Sequence, residues 1–157
     1  MLVAHLPAGY LLGRLLPKKR GVMAACLVGS MFPDFDMIWF HFVDNAQIHH
    51  HRYWVHIPLF WMVVTAVTIP ALRLFRPGWL PAALGFLAGI ALHLVLDTIS
   101  GGILWGAPVT SHLFVLHEVQ PTHDHWVKSF MADWTFGLEL LIWGAAILLA
   151  IRSRKPS

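Results

Sequence analysis

Three stretches of the chain are apolar almost without interruption: IPLFWMVVTAVTIPAL (57–72), PGWLPAALGFLAGIALHLVL (77–96) and WTFGLELLIWGAAILLAI (134–151). A helix crossing a bilayer needs about 20 predominantly apolar residues, with a range of roughly 17–25. Each stretch therefore predicts a span, the first only with help from its flanks. Two further apolar runs, 1–13 and 21–33, are too short to cross alone. They predict short helices packed within a bundle, or spans completed by neighbouring residues. Segment 100–133 carries Gly101, Gly102, Pro108 and Pro121 and no long apolar run, so it is expected to be irregular. The pattern predicts an all-α, polytopic membrane helical bundle. It has three clear spans plus one or two short or broken amino-terminal helices, in a single integral membrane domain over 1–157.

Composition supports that class. The chain is 57% hydrophobic and only 12% charged, where a soluble domain carries roughly 25% charged residues. Membrane lipids are thus the first partner. The basic residues fall mainly at Lys18-Lys19-Arg20, at Arg73 and Arg76, and at Arg152, Arg154 and Lys155. No basic face or aromatic binding module accompanies them, so nucleic acid is not expected as a partner. In an apolar chain such clusters mark cytoplasmic flanks. The basic cluster at 18–20 follows the first apolar run instead of preceding it, which is not the order of a secretory signal. The single Cys26 excludes an intrachain disulfide.

With the basic clusters on one side, helix rise assigns a depth to each polar residue inside the apolar runs. His5 falls ~20 Å from Lys18, and Asp34 ~21 Å from Arg20. His56 falls ~26 Å from Arg73, while His93 and Asp97 fall ~25 and ~31 Å from Arg76. All five reach one layer, toward the far edge of a hydrocarbon core about 30 Å thick. Ionisable groups at such depth are expensive and are functional by default.

The groups have individual signatures. His93 and Asp97 lie four apart in GIALHLVLDTISGG and share a helix face. Gly101 and Gly102 predict that the helix stops just after Asp97, which leaves that carboxylate near a negative dipole end and in need of a cation. IHHHRYWVHIP crowds His49, His50, His51, Arg52 and His56 before the first span, with Pro58 suited to a helix start. His49 and His50 read equally well as a wetted loop. His51 and His56, about 140° apart on an ideal helix, share a site only if the backbone between them is not regular helix. Asp34 and Asp36 follow a predicted helix break at Pro33, and in an extended segment both would face one cavity. Glu139, inside the last span and ~20 Å from Arg152, orients a ligand or hydrogen-bonds within the bundle, the second being favoured. Asp133, His112, His117, His123 and His125 are expected to be mostly solvated. Carboxylates combined with imidazoles suit zinc, with manganese or iron as alternatives. The metal-ligand candidates are His5, Asp34, Asp36, His56, His93 and Asp97. His51 is the candidate general base or an additional ligand, and Arg52 a clamp for an anion. There is no G-x-S-x-G elbow, phosphate-binding glycine loop or H-E-x-x-H.

His5 with Gly9, then GSMFPDFD, HRYWVH and HLVLDTISGGILWGAP, occur in that order between His5 and Pro108. In this the sequence resembles the LexA-regulated, membrane-bound metal-dependent hydrolases of bacterial inner membranes. It departs from them at Tyr53, Val55 and Ile57, so no hydroxyl is expected at positions 55 and 57, while His51, Arg52 and His56 are kept. The resemblance implies a multi-pass inner-membrane hydrolase in which metal-activated water attacks an ester or phosphoester, on a lipid or lipid-linked molecule. The inferred topology puts the site near the extracytoplasmic face. A metal-binding transporter or sensor without hydrolysis is the alternative, and a bundle whose polar residues only join helices is a third reading. The scarcity of polar groups in the inner halves of the spans counts against transport.

Overall fold

A computed structural model describes residues 3–45 and 50–153. His49, Arg154, Lys155 and the His50 side chain lie outside the described residues. Among the described residues seven α-helices follow one another: α1 His5–Leu15, α2 Val22–Met31, α3 Asp36–Phe42, α4 Pro58–Phe75, α5 Leu80–Ser100, α6 Trp126–Ala132 and α7 Trp134–Ser153. Among the described residues three helices are long and apolar enough to cross a membrane: Pro58–Phe75, Pro77–Ser100 and Trp134–Ser153. The two amino-terminal runs form α1 and a bent pair in which Val22–Met31 and Pro33–Phe42 meet at 46°. The bend falls at Pro33, where the missing N–H and the ring clash end a helix, and a 3₁₀ turn Pro33–Phe35 replaces it. Exposed Met62, Val67 and Leu74 on α4 and Leu141 and Ile147 on α7 turn apolar faces outward, as lipid contact requires.

The bundle centres on α2 and α5, whose contact is the most extensive. It is set by a row that recurs every four residues on one face of α5: Gly85, Gly89, His93, Asp97 and, just past the helix, Gly101. A Cβ on Gly89 would lie 2.6 Å from the Cys26 carbonyl oxygen, and one on Gly29 would lie 2.1 Å from that of Phe86. The helices therefore meet backbone to backbone, the arrangement that small residues permit in membranes where lipid offers no hydrophobic drive. α1 repeats the device with His5, Gly9 and Gly13, and a Cβ on Gly9 would lie 2.1 Å from Ser30 Oγ. In both helices the small residues run directly into a histidine.

α4 packs on α5 and α7 on α1, flanking the central three helices. Phe32, Trp61 and Phe86 interlock edge to face over buried Ile90, Leu94 and Ile103, with ring centroids 5.4–6.0 Å apart. α7 holds the start of α1: Glu139 Oε2 accepts from the Val3 N–H at 2.9 Å, and Trp143 Nε1 donates to the Val3 carbonyl at 3.0 Å. The segment after α5 is mostly irregular, as expected, except for α6. It folds back so that the N–H groups of Leu116 and His117 satisfy the Thr98 and Ile99 carbonyls in the last turn of α5.

Gly29→Ala is expected to cost about 1–3 kcal/mol, because a backbone oxygen cannot move aside for the new methyl as a side chain could. Gly144→Ala on α7, whose Cβ would meet nothing within 4 Å, is expected to be neutral or to gain up to about 1 kcal/mol from helix propensity. Unfolding in detergent micelles measures both, and equal stability of the two variants would contradict this packing.

Candidate metal centre

Seven of the residues singled out in the sequence converge at one end of α1, α2 and α5, carried there by six separate helices and turns. His5 opens α1, Asp34 lies in the 3₁₀ turn after Pro33, and Asp36 opens α3. His93 and Asp97 lie on the last two turns of α5. His51 and His56 sit in separate 3₁₀ turns, His50–Arg52 and Trp54–His56, divided by an extended Tyr53. That break brings their rings to a centroid separation of 4.7 Å, which a continuous helix would not allow. Trp61 Nε1 holds the second turn through the Val55 carbonyl at 2.8 Å. Tyr53 donates its hydroxyl to the Asp44 carboxylate, and this bond, helped by burial, pushes the phenol up to about 12.

Asp97 is the hub, its side chain 1% exposed. Its Oδ2 lies 2.9 Å from His93 Nε2, 3.5 Å from His51 Nε2 and 3.7 Å from His56 Nε2, while Oδ1 lies 3.1 Å from His5 Nε2. Asp34 is the second carboxylate, with Oδ2 3.0 Å from His5 Nδ1 and Oδ1 3.7 Å from His93 Nε2. Asp34, His56, His93 and Asp97 each offer one ligand atom, all within 4.8 Å of one another, a set that could hold a metal ion.

The far side of each ring decides what the near side can do. His93 Nδ1 is 2.8 Å from the Ser30 carbonyl, and His51 Nδ1 is 2.8 and 2.9 Å from the carbonyls of Gly101 and Gly102. A carbonyl only accepts, so these nitrogens carry the proton and the neutral rings present a bare Nε2. His56 Nδ1 lies 2.9 Å from Asp36 Oδ2, which favours the same tautomer. Three Nε2 lone pairs thus point at one carboxylate, with His56 and His93 Nε2 only 3.3 Å apart. Lone pairs crowded in this way repel unless protons or a cation lie among them. An imidazole fixed by a carbonyl or carboxylate on its outer nitrogen is the usual arrangement around a metal. The donor set of two imidazoles and two carboxylates therefore fits a divalent ion.

The structure corrects one expectation and refines others. Asp34 and Asp36 do not lie on an extended segment, although both reach the same cluster. Pro33 starts a 3₁₀ turn that passes directly into α3, and helical rotation sends Asp34 toward His5 and His93 and Asp36 toward His56. Arg52 is exposed beside His51. Glu139 serves the start of α1, in line with the favoured reading as a bundle hydrogen-bonding group. His112, His123 and His125 are exposed, and His117 pairs with Asp133 at 2.8 Å in the irregular segment. The carbonyls of Ser30, Gly101 and Gly102 had no signal of their own in the sequence. The four-residue row through Gly85, Gly89, His93, Asp97 and Gly101 was the available clue.

The chain matches the family described as YdjM inner membrane protein over residues 1–155 and belongs to it. It is a bacterial-type inner-membrane protein. No curated protein and no solved structure matches it.

In protein carrying 15N-histidine and loaded with a divalent ion, the rings of His51, His56 and His93 are expected to keep their proton on Nδ1. The Nε2 resonances of His56 and His93 should be the ones that move on loading. Protons on Nε2 in these rings would contradict the arrangement.

Proposed function

We propose that this protein is a metal-dependent hydrolase of the inner membrane that acts on an ester or phosphoester, carried by a lipid or lipid-linked molecule. The observation that carries the reading is the convergence of four histidine Nε2 atoms on buried Asp97, each with its Nδ1 already engaged. His56, His93, Asp34 and Asp97 would hold the ion, zinc first and manganese or iron next, given imidazole with carboxylate. Such an ion supplies acidity to a bound water and stabilisation to developing negative charge.

The chain's own residues do the rest. Asp36 orients His56, the Ser30 carbonyl orients His93, and His5 bridges Asp34 and Asp97. His51 lies farther from Asp97 than His93 does and is anchored by two carbonyls, which suits a group that takes up a proton. Asp34 is 30% exposed, the open side of the cluster, and marks where a substrate would arrive. Arg52 stands at the surface next to His51, placed to hold an anionic group. The positive-inside rule puts this end of the bundle at the extracytoplasmic face. The hydrolytic part of the reading draws on the motif resemblance to LexA-regulated membrane hydrolases.

The transporter or sensor reading requires a polar path to the other side. Directly behind the cluster, Gly29 and Gly89 bring α2 and α5 into backbone contact, which leaves no room for one between those two helices.

Protein purified gently without chelator is expected to retain metal by elemental analysis. His93→Ala and Asp97→Ala should lose it while keeping their helical content. Asp36→Ala should weaken affinity about 10–100-fold, as removal of an orienting partner does. Phosphoester turnover should vanish with chelator and return with metal. Wild-type protein free of metal would defeat the proposal, and metal flux into proteoliposomes without turnover would favour transport.

A further inference from the structure

The opposite end of the same helices carries a different chemistry. A cavity of ≈ 360 Å³ lies in the turn between α1 and α2, floored by Gly13 and Met23 and ringed by Arg14, Lys18, Lys19 and Arg20. Its depth comes from the close approach of the two helices, since a Cβ on Gly13 would lie 2.6 Å from Met23 Sδ. All eight acidic residues of the chain lie at Asp34 or beyond it in sequence. No ion pair among the described residues involves the four cations. Four positive charges around a concave surface, with no carboxylate paired to them among the described residues, leave a site for an external anion.

The surroundings specify which kind of anion. Gly21, at φ 79°, turns the chain into α2 and sits against Ala82, where an added Cβ would be 3.5 Å from the Ala82 Cβ. This sets the cavity beside the start of α5 and exposed Trp79, an aromatic of the type that sits at headgroup level. Next to it runs a mostly apolar groove lined by Ala25, Leu72, Ala83, Phe86 and Trp79, with Arg76 at its edge. A free anion would use the charges alone. A phospholipid would use both, with its phosphate among the cations and an acyl chain along the groove.

We infer that the turn between α1 and α2 is a binding site for an anionic phospholipid, held by its headgroup phosphate among Arg14, Lys18, Lys19 and Arg20. Basic recesses between membrane helices hold such headgroups by charge and geometry together. Because α1 runs from this turn to His5 and α2 to the turn that holds Asp34, the lipid anchors the helices that lead to those two residues. The inference does not depend on the hydrolase reading.

Native mass spectrometry of the detergent-purified chain with equal phosphatidylglycerol and phosphatidylcholine tests it. Phosphatidylglycerol adducts are expected to exceed phosphatidylcholine adducts severalfold. Lys18→Gln with Lys19→Gln should abolish the preference, whereas Arg73→Gln with Arg152→Gln, which removes two cations that do not line the cavity, should preserve it. Salt at roughly 0.5 M should weaken the preference in unaltered protein, which covers the case of a variant that fails to fold. Excess inorganic phosphate should not displace the lipid. Equal retention of the two lipids, equal loss in both double variants, or displacement by inorganic phosphate would each overturn the proposal.

Discussion

A carboxylate buried at the negative end of a helix dictates the arrangement around it. Asp97 sits one turn before the end of α5, almost wholly excluded from solvent. Isolated there, its charge would cost several kcal/mol even after relaxation, and the negative end of the helix dipole adds to the penalty. Four histidines from three separate parts of the chain gather on its two oxygens. All four have their outer nitrogen engaged by a carbonyl or carboxylate, so each ring, when neutral with that nitrogen protonated, meets Asp97 with a bare Nε2. Protons or a cation among these atoms relieve the crowding, and the metal-centre reading takes the cation.

Gathering four rings on one carboxylate requires helices that approach more closely than ordinary side chains allow. The glycines of α1, α2 and α5 provide this, and the same four-residue spacing that places Gly85 and Gly89 against α2 delivers His93 and Asp97 to its far end. Packing and chemistry are therefore one row of residues read in sequence. α4, α7 and the segment after α5 hold that row in place through Trp61, Glu139, Trp143 and the returning N–H groups of Leu116 and His117. The two ends of the row differ sharply. One concentrates carboxylates and imidazoles, and the other presents cations alone.

Much of this was legible before any coordinates. The three spans follow from uninterrupted apolar length, and the meeting of His5, Asp34, His56, His93 and Asp97 at one end of the helices follows from helix rise measured against basic flanks. Depth alone places residues in a layer but says nothing of their azimuth, so it could not show which nitrogen of each ring faces inward. His51 with His56 was readable only as a condition on the backbone, and the paired 3₁₀ turns meet that condition. The backbone at Asp34 and Asp36 was misjudged because alternation assumes an extended chain, while Pro33 at the first position of a turn favours helical backbone after it as readily as it ends a helix before it. Backbone carbonyls leave no mark in a sequence, so Ser30, Gly101 and Gly102 emerged only from the fold.

The most direct measurement is the X-ray absorption spectrum of the protein purified without chelator. A metal held by His56, His93, Asp34 and Asp97 predicts a shell of nitrogen and oxygen near 2.0–2.2 Å if the ion is zinc, with the outer scattering of two imidazole rings. Absence of a metal edge, or a sulfur shell near 2.3 Å, would contradict the account.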